Sequence, residues 1–217
     1  MRNSLRTTCF CVLAAWALLP TGDAASALGS DLPAFGRDTV LVWSILNQDD
    51  SARFVVRIAQ FLPDRYIEWE NATTQGTIFM TRKAVTVAKT FVNARLFEGG
   101  VDTKGKDATT LWLSELLFRE LKAKSRVKLS IDSVEGWMNV EGKDHLVVEI
   151  NRSPTPIPVI KVMDDRGQER WFLDREENPL MVKHVFRAFS QTLKSITTDR
   201  PNSLRWIKGK KLNSFPH

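Results

Sequence analysis

Apolar and polar residues alternate with a period of two over much of the chain, the pattern of strands buried on one face. Arg126–Asp132 is the cleanest case: Val127, Leu129 and Ile131 face one way, and Arg126, Lys128 and Ser130 the other. His145–Ile150 repeats it with Leu146, Val148 and Ile150. Thr39–Leu46 and Ala52–Phe61 are apolar on both faces, as doubly covered strands are, and the polar run 47–51 between them reads as a hairpin loop. Further strands are expected at Arg65–Asn71, Gly76–Thr81, Val134–Val140, Ile157–Met163 and Arg170–Leu173, with a last long one over Leu180–Thr197. Asp164-Asp165-Arg166-Gly167 and Glu141-Gly142-Lys143-Asp144 both carry hairpin chemistry. Pro154, Pro156 and Pro158 mark the approach to a strand, since proline cannot donate to a ladder.

Two stretches follow a helical period instead. Ser114 is suited to cap a helix over Glu115–Ala123, with Glu115 near the positive end of its dipole and Lys122 and Lys124 near the negative end. Lys83–Phe91 is a weaker helix, because Val85, Thr86, Val87 and Thr90 are β-branched. Between the two, 98–107 is rich in Gly and Lys and reads as a mobile loop, the best candidate for a lid. No internal repeat or low-complexity linker interrupts the pattern. The fold expected is mainly β (α+β): a curved antiparallel sheet or half-barrel with one or two inserted helices, in a single domain over residues 28–199.

The two ends depart from this pattern. Residues 1–27 read as a signal peptide: Arg2 and Arg6 precede an apolar run over Cys9–Leu19, and Ala25-Ser26-Ala27 supplies the small-x-small cleavage pattern. That run of about 11 residues is shorter than the roughly 20 needed to span a bilayer. Export to the periplasm or beyond is therefore expected, and processing would remove both cysteines, Cys9 and Cys11. Without Arg2, Arg6 and Asp23 the formal charge falls from +6 to +5, too modest to suggest nucleic acid as a partner. Residues 200–217 form a basic tail in which Arg205, Lys208, Lys210 and Lys211 alternate with apolar residues including Trp206. Such a tail suits an anionic membrane surface or an acidic envelope protein, or serves as a solubilising end.

Catalytic and metal-binding sets are not evident. The three histidines, His145, His184 and His217, lie in distant segments with no i, i+3 or i, i+4 pair. There is no Gly-x-Ser-x-Gly elbow and no phosphate-binding loop. Glu68 and Glu70 share one face of an expected strand roughly 7 Å apart, a spacing open to acid/base hydrolysis or to a solvated strand face. Asn71-Ala72-Thr73 and Asn151-Arg152-Ser153 fit the glycosylation acceptor pattern. No cofactor is implied. Aromatic residues are the more informative set: Trp69, Trp112, Trp137 and Trp171 are candidates to line an apolar cavity in a half-open barrel, the alternative being ordinary core packing.

One run of residues carries a resemblance. Pro156-Ile157-Pro158-Val159-Ile160 is followed by Trp171-Phe172-Leu173-Asp174 and by Asn178-Pro179-Leu180, with Thr110-Leu111-Trp112-Leu113-Ser114 and Phe118-Arg119-Glu120-Leu121 upstream. In this the chain resembles uncharacterised exported bacterial β-domain proteins, over about the last half of the mature sequence. More distantly, the layout is similar to periplasmic lipoprotein carriers, half-barrels whose concave side holds acyl chains. The signal segment, the strand-rich pattern, the aromatic load and the missing catalytic set lead us to expect a non-enzymatic, exported β-domain that binds a lipid, another hydrophobic ligand or an envelope component. Two alternatives stand beside it: an envelope assembly module working through its surface and basic tail, and a carboxylate-dependent hydrolase.

Overall fold

A computed structural model of the chain describes residues 32–48, 50–93 and 106–198, with the backbone alone of 103–105. The signal segment, the lid candidate up to residue 102 and the basic tail with Arg205, Trp206, Lys208, Lys210 and Lys211 lie outside the described residues.

Four antiparallel strands come first: β1 (Val40–Asn47), β2 (Asp50–Gln60), β3 (Arg65–Glu70) and β4 (Gln75–Met80). The short helix α1 (Arg82–Val87) follows, then the strand pieces β5 (Thr90–Phe91), β6 (Thr103–Gly105) and β7 (Ala108–Thr109) and the helix α2 (Glu115–Lys124). The described residues end in β8 (Arg126–Ile131), β9 (Val134–Ile150), β10 (Ser153–Asp164), β11 (Glu169–Leu173), β12 (Met181–Phe186) and β13 (Phe189–Thr197). All of them join one mixed sheet in the order β6-β4-β3-β2-β1-β13-β12-β11-β10-β9-β8-β5-β7. The end of β13 also pairs in parallel with the end of β9, Ser195 opposite Glu149 and Ile196 opposite Ile150. Strands β9 to β13 are thereby hydrogen-bonded in a closed circuit, while β1 to β4 extend from it as an open wing. The fold is the curved, mainly β architecture with two helices that the alternation implies, although parallel pairings make the sheet mixed.

One continuous core lies along the inward face, where Leu41, Trp43, Phe54, Val56, Ile67 and Trp69 of the wing meet Phe172, Met181 and Leu193 of the circuit. Both helices add their apolar faces to it through Val85, Leu117, Phe118 and Leu121. The Ser114 hydroxyl caps α2 as expected, accepting from the Leu117 N–H at 3.2 Å and donating to the Ala88 carbonyl at 2.7 Å. That second bond ties the start of α2 to the end of α1. The weaker helix forms only over its first part, capped by Thr81, before the β-branched run gives way to strand.

Four local readings are corrected. Glu141-Gly142-Lys143-Asp144 is no hairpin: β9 runs through it, and the register passes from Lys161 opposite Gly142 to Val162 opposite Val140. Glu141 is the extra residue of a β-bulge, which uses the same polar, glycine-containing chemistry as a turn. The real reversal is at Asn151-Arg152, both with positive φ (48° and 73°), between paired Ile150 and Ser153. The three prolines therefore lie inside β10 rather than before it. They fall on a stretch that pairs with β9 alone, because β11 joins only from Val159 onward, so their missing N–H groups leave no ladder position unfilled. The last long strand is in fact two, β12 and β13, folded at Arg187-Ala188 with Arg187 at φ 54°. The polar run 47–51 is likewise partly strand, since Asn47 already pairs with Asp50. The Asp164–Gly167 hairpin forms as expected, with Gly167 at φ 72° and Asp164 Oδ1 accepting from the N–H groups of Arg166 and Gln168.

Candidate functional site

The loop after β11 gathers four parts of the molecule. Asp174 binds Lys122 of α2 at 2.7 Å and Lys143 of β9 at 3.2 Å. Burial opposes the charged form of Asp174, but these two ammonium groups outweigh it and hold the carboxyl below the usual range. Arg175 reaches the Leu32 carbonyl at 3.3 Å and so fastens the N-terminal segment. Asn178 accepts a 2.7 Å hydrogen bond from the indole N–H of Trp112, and the backbones of Trp112 and Leu180 form an antiparallel bridge. The Trp-x-Leu-Asp, Asn-Pro-Leu and Thr-Leu-Trp-Leu-Ser runs thus meet in space.

Arg65, at the first position of β3, lies beside this loop and is 1% exposed. Its Nη2 donates to the Glu177 carbonyl at 3.3 Å, while Nε and Nη1 have no hydrogen-bond partner among the described residues. The guanidinium carbon lies 4.7 Å from the centre of the Phe61 ring and 4.9 Å from that of Trp112. Burial lowers its pKa to about 10, with the charge of Glu115 acting in the opposite direction, so it stays protonated at neutral pH. Arg65 did not stand out as a site residue in the sequence. A signal was present, however: Arg65 has the parity of Ile67 and Trp69, the inward face of β3, where a cation is out of place.

Phe61 has a second role. A cleft of about 460 Å³ opens between the N-terminal segment at Phe35–Arg37 and the turn from β2 to β3, walled by Phe35, Phe61, Leu62 and Tyr66, with Arg37 and Arg57 at its edge. Phe35 and Phe61 meet edge-on at 5.9 Å, and Phe61 meets Trp112 edge-on at 6.5 Å. Arg57 is held at 2.7 Å by both Asp38 and Glu68, whereas Arg37 is exposed.

The four candidate tryptophans do not converge. Trp69 and Trp112 are 1% and 0% exposed and are packed into the core; Trp69 touches Phe54 and leaves Gly76 no room for a side chain. Trp137 and Trp171 lie on outward-facing positions under cations. Arg126 stacks on Trp137, and Lys161 and Lys183 lie 4.3 and 4.2 Å from the Trp171 ring centre. Alternation explains the split, because Trp171 neighbours inward Arg170 and Phe172. Glu68 and Glu70 do share a face of β3, and Glu68 is committed to Arg57.

A buried polar row crosses the circuit from Arg170 to His184 to Gln191, in register. Arg170 donates to Asp164 at 2.9 Å and to Gln168 Oε1 at 2.6 Å, and His184 Nε2 lies 3.0 Å from the same Oε1. Because a guanidinium only donates, that atom must accept, and His184 is the Nε2–H tautomer. Burial, then the Arg170 charge, push the His184 pKa down to about 3. Among the described residues, no three His, Cys, Asp or Glu side chains gather as metal ligands do.

The chain matches no family model, no curated protein and no solved structure.

Proposed function

We propose that this is an exported, non-enzymatic β-domain protein that binds a hydrophobic ligand of the cell envelope, a lipid or other amphiphile, in the cleft beside Phe61. The observation that carries the reading is the cleft itself: at about 460 Å³ it falls within the range of small-molecule sites, and Phe35, Phe61 and Leu62 line it together with the polar Arg37, Gln60 and Tyr66. An apolar chain is favoured against Phe35, Phe61 and Leu62. The curved sheet with two helices supports the reading, as does the resemblance to exported β-domain proteins and, more distantly, to lipoprotein carriers. The hydrolase alternative is weakened by the pairing of Glu68 with Arg57, which occupies one of its two carboxylates.

Half-buried Ala59 lines the cleft and provides the test. Protein purified from its own compartment is expected to carry an extractable lipid or other amphiphile. Ala59→Trp, which fills the cleft, should carry none while keeping the thermal midpoint of the delipidated wild type. Wild-type protein without any such ligand would overturn the reading.

A further inference from the structure

We propose that Arg65 anchors the anionic head of an amphiphile, reached from the cleft when the Phe61 ring swings off the guanidinium. This rests on the cleft being the ligand site. An arginine this buried ordinarily has its donors satisfied, because desolvated charged groups without partners are costly. Arg65 makes no ion pair and one hydrogen bond among the described residues, leaving Nε and Nη1 without acceptors. The faces of Phe61 and Trp112 stabilise the charge but accept no conventional hydrogen bond in its plane.

The geometry of the remaining donors is what an oxyanion needs. Nη2 uses one hydrogen on Glu177, and its other hydrogen forms a two-pronged face with either Nε or Nη1, the shape that fits a carboxylate or phosphate. Opposite Arg65 in the ladder, Met80 accepts the Thr110 N–H through its sulfur, and the buried Thr110 hydroxyl likewise has no partner among the described residues. It is a second donor in the same part of the interior.

Phe61 supplies the route. The ring both lines the cleft and covers the guanidinium, so it is the side chain shared by ligand space and charge. It is half-buried, and a change of rotamer moves it without unfolding a strand. The ligand class is therefore an amphiphile with one apolar chain and an anionic head. A fatty-acid carboxylate and a phospholipid phosphate share this chemistry.

The test is calorimetric titration of the delipidated full chain with dodecanoate, dodecyl phosphate and dodecanol. The anions should bind roughly 10- to 100-fold tighter than the alcohol, the worth of a charged hydrogen bond, and the tighter of the two identifies the natural head group. Arg65→Met should bring the ratio to about one and leave the dodecanol Kd unchanged, since the walls are intact. Arg37→Gln, at the edge, should leave the ratio in place. Arg65→Lys keeps the charge, loses the fork and should lower the ratio about threefold or more, which covers a methionine variant that does not fold. Equal binding of all three ligands by the wild type overturns the anion site and leaves the cleft reading standing. A ratio that survives removal of the guanidinium, or collapses in Arg37→Gln, overturns the assignment to Arg65. Binding of none of the three overturns both.

Discussion

His184 makes stability depend on pH in a direction and amount that follow from its surroundings. Folded, the imidazole is 7% exposed, shares Gln168 Oε1 with Arg170 and resists protonation down to a pKa of about 3. Unfolded, it regains its ordinary value near 6.5. Below pH 6.5 the unfolded chain therefore binds a proton that the folded chain refuses, and stability falls as the pH falls. Above about pH 8 the two states hold the same number of protons at this site and the effect vanishes. One pH unit is worth about 1.36 kcal/mol, so His184 should cost about 2 kcal/mol between pH 7 and pH 5. The figure changes little for any folded pKa below about 4, because the window lies above it. His184→Gln removes the titration and retains an amide donor for Gln168. Urea unfolding of both proteins at pH 7, 6 and 5 isolates the contribution, since carboxylates elsewhere shift both curves alike. The wild type should lose about 2 kcal/mol more than the variant over that range. Parallel pH profiles would refute the argument, and would mean that the imidazole accepts a proton in the folded protein or that the row is open to water.

Two further substitutions probe the packing around the site. Gly76→Ala puts a methyl 2.9 Å from three atoms of the Trp69 indole, a ring enclosed by the core, and should cost about 1–3 kcal/mol in chemical denaturation; an unchanged midpoint would show that the ring gives way. Trp112→Phe keeps most of the ring but leaves Asn178 Oδ1 buried without its donor, which should cost about 1–3 kcal/mol by the same assay, and Asn178→Ala in that background should add little.

Much of the architecture was legible because alternation survives wherever one face is buried. β1, β2, β3, β4, β8 and β11 lie within two residues of their expected bounds, and the Ser114 cap and the Gly167 hairpin act as their residue types imply. What the residues hid has physical causes. A glycine with acidic neighbours marks a bulge as well as a turn, so Glu141-Gly142 divided β9 on paper. Arg187-Ala188 has none of the usual turn residues, so β12 and β13 read as one strand. Tryptophan content alone does not reveal direction: one step along β11 separates inward Phe172 from outward Trp171. The cleft is formed by Phe35 and Phe61, 26 positions apart, and only the tertiary fold brings them together. Arg65 and Arg170 were readable in principle as cations at inward parity, a signal easily passed over when charge is taken to mean surface.

Whether the cleft beside Phe61 holds a ligand is read by native mass spectrometry of protein purified without detergent from its own compartment. A second species heavier by one amphiphile per chain is expected, lost on organic extraction and missing from the Ala59→Trp variant. A single peak at the bare chain mass, identical before and after extraction, would contradict it.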